Sequence, residues 1–203
     1  FLGVDNILAL RGDPMKNESS FVPVNGGNEF AIDLIKQIDE MNNGQYLYEE
    51  TKNSPSNFCI GAAGYPEKHF EAMNLASDLR HLKAKVDAGA EFIVTQLFYD
   101  NKKYFSFVKK CREIGITVPI IPGLKPITNQ RHLTFIPKFF NTNFPEEFSN
   151  ELEKCKTNEE IKKVGIEWSI EQSKELIDAG VPVLHFYTMG KGQSVKEVAS
   201  NIF

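Results

Sequence analysis

Five strand-to-loop joints in this chain carry side chains that could bind charge or move a proton. Arg11 and Asp13 sit in Arg11-Gly12-Asp13-Pro14, and Tyr65, Glu67 and His69 follow the apolar run that ends at Ala63-Gly64. Gln96 and Asp100 close a second apolar run, Gly123 and Lys125 a third, and Tyr187, Thr188 and Lys191 a fourth. The set holds carboxylates, hydroxylated rings, and amide and amine donors, but no serine nucleophile paired with a histidine. His69, His81, His132 and His185 show no metal-ligand spacing, and the carboxylates are scattered, so no metal site is signalled. Nucleophilic and metal-assisted hydrolysis are therefore poorly supported. A site rich in donors and without reactive groups of its own suits a cofactor that brings the chemistry.

The elements that must position these residues can be read from periodicity. Phe58 to Ala63 and Phe92 to Phe98 are short apolar runs of strand type, and between them Leu75, Leu79, Leu82 and Val86 mark a helix that lies on a sheet. At about 100° per residue, Asp78, His81 and Lys85 fall within about 60° of one another, beside the leucine stripe. Such an edge could hydrogen-bond a polyol or phosphate laid along it; otherwise it is a solvated face. Further strands are expected at Ile7 to Leu10, Val118 to Ile121 and Val183 to Tyr187. Helices are expected from Phe30 through Ile38, over 102–114, over 128–140 with Pro137 as a kink, from Thr157 to Gly180, and over 194–202. Thr157 and Glu160 have capping-box spacing, Phe144-Pro145-Glu146-Glu147 opens another helix, and 45–57 reads as a surface linker. Glycine recurs where a helix stops and a strand begins, at Gly3, Gly89, Gly115 and Gly180. Five strands, each followed by a helix, give a parallel α/β sheet whose strand ends share one face.

Five strands suit a doubly wound sheet, whereas a closed (β/α)8 barrel needs eight and about 250 residues. The chain has 203, opens at Phe1 and enters its first strand almost at once. The expectation is a piece of a longer protein, a barrel without its first three units. A net charge of −4 argues against nucleic acid or an anionic membrane as the main partner. No apolar run approaches transmembrane length and no leader pattern opens the chain, so the cytoplasm is expected. Cys59, Cys111 and Cys155 signal neither a disulfide framework nor a zinc site. Neither GxGxxG nor GxxxxGK[ST] occurs, so a Rossmann site or P-loop is not signalled.

Six blocks, in order and roughly in spacing, resemble the motifs of the methylenetetrahydrofolate reductase family. They are Leu10-Arg11-Gly12-Asp13-Pro14, Ala63-Gly64-Tyr65-Pro66-Glu67-Lys68-His69, the stretch from Leu82 to Ala90, Thr95-Gln96-Leu97-Phe98-Tyr99-Asp100, Ile121-Pro122-Gly123 and His185-Phe186-Tyr187-Thr188. The resemblance runs the length of the chain. It implies a (β/α)8 TIM barrel of which about five βα units are present, with residues 1–203 as one domain, the C-terminal five-eighths of a flavin-binding barrel. It implies FAD, held non-covalently, and hydride transfer from NAD(P)H to 5,10-methylenetetrahydrofolate in one-carbon metabolism, with a homo-oligomer expected.

By the same resemblance, Asp13 would lie near the flavin pyrimidine edge, with Arg11 and Gly12 beside it. Ala63 and Tyr65 would line the flavin pocket, while His69, Asp78, His81 and Lys85 would bind the ribityl and diphosphate portion. Gln96 would face the nicotinamide or pterin ring, and both ligands would use one stacking face in a ping-pong reaction. The family commonly ends its last strand in Tyr-Thr-Leu-Asn-Arg, the arginine gripping the folate glutamate; here Tyr187-Thr188-Met189-Gly190-Lys191 offers Lys191, which has charge but no planar fork. The family's general acid, a glutamate on its first strand, has no counterpart, so this stretch alone is expected to be inactive. Two rival readings are a silent flavin- or folate-binding fragment and a phosphate-binding aldolase-type barrel. The latter wants a Schiff-base lysine inside a strand, and none of the expected strands contains one.

Overall fold

In the computed structural model, residues 3–14, 20–47 and 54–203 are described. Five strands, β1 (Asn6–Ala9), β2 (Cys59–Gly64), β3 (Phe92–Leu97), β4 (Ile120–Leu124) and β5 (His185–Phe186), alternate with helices. The helices are α1 (Ala31–Asn42), α2 (Leu75–Asp87), α3 (Asn101–Glu113), α4 (Gln130–Phe140), α5 (Glu146–Lys154), α6 (Asn158–Asp178) and α7 (Gln193–Ile202). The strands pair in the order β1-β2-β3-β4-β5, every pair parallel. A doubly wound sheet reverses its strand order at a switch point, and this sheet has no reversal. Its consecutive order is that of an arc of a (β/α)8 barrel.

The helices cover one face. Ala9, Ile60 and Ala62 pack with Ile35 and Ile38 of α1, and Ile93, Ile120 and Leu124 with Leu79, Leu82, Phe107 and Leu176. A third cluster joins Leu97, Tyr99 and Ile127 to Ile136, Phe148, Leu152 and Ile161. The leucine stripe of α2 is thus buried as its spacing requires, each such side chain contributing about 1.5–3 kcal/mol. On the opposite face of β1, Leu8 and Leu10 are exposed. Between β2 and β3 that face is filled by Phe92, whose ring lies so close over Gly61 that an added Cβ would come within 2.3 Å of it. Helices outside and small or aromatic side chains inside are what a curved, singly wound sheet needs.

Several boundaries differ from expectation, most by one residue. β4 differs more: it starts at Ile120 and runs through Pro122 and Gly123 to Leu124, where the sequence reading ended it at Ile121. The register between β3 and β4 shifts between Val94 and Leu97, a bulge that accommodates a proline lacking an N–H. Gly123 then donates its N–H to Thr95 Oγ1 at 2.9 Å. β5 is only two residues long, because β4 offers it pairing at Gly123 and Leu124 alone. Pro137 lies inside α4. Phe139 of α4 is 56% exposed. Gly115 and Gly180 follow α3 and α6 at φ +79° and +83°, as left-handed helix exits require. The middle of the 45–57 linker and residues 15–19 after Pro14 lie outside the described residues.

Candidate functional site

The site begins where β2 ends. From Gly64 the chain passes through Tyr65, Glu67 and His69 to Asn74, whose side chain accepts the Ser77 N–H at 2.9 Å and caps α2. One turn into that helix, Asp78 accepts the His69 backbone N–H at 2.8 Å, pinning the loop to it. Two turns further on, Lys85 reaches back so that its Nζ donates to the Ala63 carbonyl at 3.2 Å. Burial pulls the Lys85 ammonium below its ordinary value although Asp78 opposes this. The Tyr65 ring meets the His69 imidazole edge-on at 4.6 Å. Burial, then the charges of Asp78 and Tyr187, push the Tyr65 phenol up to about 12. His69 is lowered, mainly by burial, and its Nδ1 accepts the Glu71 N–H at 3.2 Å.

Beyond β1, Arg11 pairs with Glu71 at 2.8 Å, a bond that raises the guanidinium's value further. Asp13 is exposed, close enough for its charge to act on Arg11 and Tyr65. Gly12 lies against Phe21, whose ring a Cβ would meet at 2.9 Å. Arg11, Tyr65, His69, Asp78 and Lys85 therefore come together with Ala63 beneath them. His81 is different: it is exposed on α2 and has no hydrogen-bond partner among the described residues.

Gln96 is the last residue but one of β3. Its Oε1 accepts the Leu97 N–H at 3.0 Å, leaving Nε2 without a described partner and free to donate. It lines a crevice of about 10 Å³, room for one water, with Tyr65, Glu67 and Thr142. Glu67 accepts from the N–H and Nδ2 of Asn143 at 3.1 and 2.8 Å, and Thr142 Oγ1 donates to the Leu97 carbonyl at 2.9 Å. The segment after α4 is thus tied to the mouth beside Gln96. Asp100 serves its own helix, accepting the Lys102 N–H.

On the far side, Lys125 is the first residue past β4 and is only 5% exposed, its Nζ 3.4 Å from the Tyr187 carbonyl. Tyr187 in turn donates its hydroxyl to the Thr95 carbonyl at 2.9 Å. Lys191 is exposed on a turn with Met189 and Gly190 at positive φ. His132 is lowered to about 4 by burial and by the charges of Lys125, Arg131 and Lys191. Lys191 therefore belongs to the β4–β5 side of the mouth, with Lys125, rather than to the Arg11 cluster. The sequence reading missed Glu71, Thr142 and Asn143 as parts of the site. Only folding brings Asn143 to Glu67, 76 residues away, and no local pattern announces that pairing.

This arrangement can hold an elongated anionic ligand bearing a flat ring. Cationic and neutral donors lie on one flank, the small side chain of Ala63 lies beneath them, and the Gln96 amide offers a donor on the neighbouring strand. Among the described residues no group of three or more His, Cys, Asp or Glu side chains could hold a metal ion.

A family model described as methylenetetrahydrofolate reductase matches residues 1–202. The chain belongs to the methylenetetrahydrofolate reductase family. A Zea mays relative, "Methylenetetrahydrofolate reductase (NADH) 1", is 39% identical over 210 residues, covering 98% of this chain and 33% of the relative. A Caenorhabditis elegans relative, "Probable methylenetetrahydrofolate reductase (NADPH)", is 38% identical, covering 99% of this chain and 28% of the relative. The chain spans about a third of the length of these curated members of the methylenetetrahydrofolate reductase family. Among solved structures, an uncharacterized protein from Clostridium thermocellum, described as binding two copies of 5-methyl-5,6,7,8-tetrahydrofolic acid, has a TM-score of 0.49 at 18% identity, covering 72% of this chain and 53% of its own. That likeness is too loose to carry weight.

Proposed function

We propose that the intact protein is a methylenetetrahydrofolate reductase that uses FAD to carry hydride from NAD(P)H to 5,10-methylenetetrahydrofolate, giving 5-methyltetrahydrofolate. The observation that carries this reading, beside family membership, is the convergence of Arg11, Tyr65, His69, Asp78 and Lys85 at the ends of β1 and β2, next to Gln96. The consecutive parallel order supports reading residues 1–203 as five of the eight units of a closed barrel. The reading also carries a homo-oligomer in the cytoplasm, feeding one-carbon units toward methionine.

The residues fit FAD. A half-buried ammonium at Lys85, whose one hydrogen-bond partner among the described residues is a carbonyl, suits a diphosphate. Ala63, at the end of β2, puts no large side chain beneath that ammonium. Lys85 and His69 would hold the ribityl-diphosphate, with Asp78 keeping the His69 loop in place and His81 available from the helix surface, while Arg11 would stand beside Asp13 at the pyrimidine edge of the ring. Ala63, Tyr65 and Gly12 would line the ring pocket. Bound there, FAD would supply the hydride carrier. The Asp13 carboxylate would repel negative charge gathering on a ring beside it, by ordinary Coulomb interaction. Gln96 Nε2 would donate to a carbonyl of the nicotinamide or the pterin, orienting either ligand on the same face. Lys191 would offer charge to the folate glutamate.

The test is an anaerobic titration of the purified intact protein. The reading expects a yellow protein, bleached by NADH or NADPH and recoloured by methylenetetrahydrofolate. Colour without bleaching would point to a silent binding protein, and a colourless protein that cannot be loaded with FAD would end the proposal.

A further inference from the structure

β4 turns Ile120 and Leu124 toward the helices, so strand alternation turns Ile121, Gly123 and then Lys125 toward the face that lines the mouth. Lys125 is buried there, yet among the described residues no carboxylate lies within 4.0 Å of its ammonium. Its single hydrogen bond among the described residues, to the Tyr187 carbonyl at 3.4 Å, is longer than the usual range. An ammonium has three donors, so two are left without a partner among the described residues. A buried charge without a partner is costly, and the neighbours increase the cost rather than relieve it. Arg131 and Lys191 are likewise unpaired with any described carboxylate, and His132 between them is held neutral.

The ammonium is also held in place. Tyr187 is tied by its hydroxyl to Thr95, and β4 comes so close to β3 and Tyr187 that a Cβ on Gly123 would lie 2.1 Å from the Thr95 carbonyl and 2.6 Å from the Tyr187 ring. The carbonyl that Lys125 touches is therefore part of a rigid platform.

We propose that Lys125 is an oxyanion contact of the substrate pocket, binding a carboxylate or phosphate oxygen of the ligand that enters the mouth. The inference rests on the reductase reading above, which puts two such ligands in one place. The folate brings the carboxylates of its glutamate, the pyridine nucleotide brings phosphates, and either presents the charge-assisted acceptor that Lys125 lacks. Lys125 supplies a fixed charge, whereas Lys191 supplies an exposed one on a turn.

The test uses the intact, FAD-loaded protein in anaerobic half-reactions with four hydride-donating ligands, the apparent Kd of each read from the concentration dependence of flavin bleaching. These are 5-methyltetrahydrofolate, the same pterin without its glutamate, NADH, and reduced nicotinamide riboside, which has no phosphate. Lys125→Met is expected to weaken binding of an anion-bearing ligand by about tenfold or more, with flavin content unchanged and the partner lacking the anion unaffected. Loss confined to the folate pair assigns the carboxylate, and loss confined to the nucleotide pair assigns the phosphate. Lys125→Arg, which keeps the charge, should recover most of the loss, and Lys125→Gln serves if the methionine variant does not fold. Unchanged affinity for every ligand, or equal loss with and without the anion, would overturn the proposal. A wild-type protein that holds no flavin and binds none of the four would remove the reductase reading itself, and this inference with it.

Discussion

Lys85 is the residue on which the cofactor flank depends most. Its ammonium is half-buried, lowered by burial, and among the described residues hydrogen-bonded only to the Ala63 carbonyl, so an anionic tail would meet a poorly solvated cation. Replacing Lys85 with Met should weaken FAD binding to the intact protein by about tenfold or more, read as flavin fluorescence recovered on dilution. Retention equal to wild type would mean that the diphosphate lies elsewhere. Gln96 makes a different kind of contact, a neutral amide whose Nε2 is free while its Oε1 is occupied by the Leu97 N–H. Gln96→Leu should weaken both the nucleotide and the folate by about two- to tenfold, the worth of a neutral hydrogen bond. If only one ligand were affected in stopped-flow half-reactions, the shared stacking face would be wrong.

At the scale of elements, close backbone approach decides what can be changed. An alanine at Gly123 would place a Cβ 2.1 Å from the Thr95 carbonyl oxygen, part of the strand backbone and unable to swing away. Gly123→Ala should cost about 1–3 kcal/mol of stability in urea melts, and a neutral result would mean that β3 and β4 sit further apart. Asn74→Ala, which removes the cap of α2, should cost about 1 kcal/mol. The α2 stripe was legible in the sequence because helix period and leucine spacing agree, and so were the strand-end loops, because parallel sheets gather them on one face. The end of β4 was not legible. Pro122-Gly123 reads as a stop, but a bulge in the neighbouring strand lets the chain pass through it. Lys125 therefore looked like a loop residue and is instead buried. The Arg11–Glu71 and Glu67–Asn143 contacts were invisible for another reason: each joins separate loops, and only the tertiary fold sets their distance.

For the whole molecule, the consecutive parallel order puts every strand end on one mouth, with an acid-and-base cluster beside β1 and β2 and a purely cationic cluster beside β4 and β5. That second cluster has a pH signature. His132 is lowered to about 4 by burial and by Lys125, Arg131 and Lys191, so above about pH 6.5 it is neutral in both folded and unfolded chains. Between there and about pH 4 the unfolded chain takes up a proton that the folded chain refuses, so stability should fall as the medium is acidified through that window. His69 and His185, also lowered chiefly by burial, act in the same direction. Urea midpoints at about pH 7 and about pH 5 should differ, and His132→Gln should shrink the difference; an unchanged slope would show that the imidazole is not so confined.

The most direct measurement is a crystal structure of the intact protein with FAD bound. The account predicts the isoalloxazine at the ends of β1 to β3, within hydrogen-bond reach of Gln96 through the ligand stacked on it, and the diphosphate against α2 at Lys85. Density for the flavin on any other face of the sheet, with Lys85 still bonded only to Ala63, would contradict it.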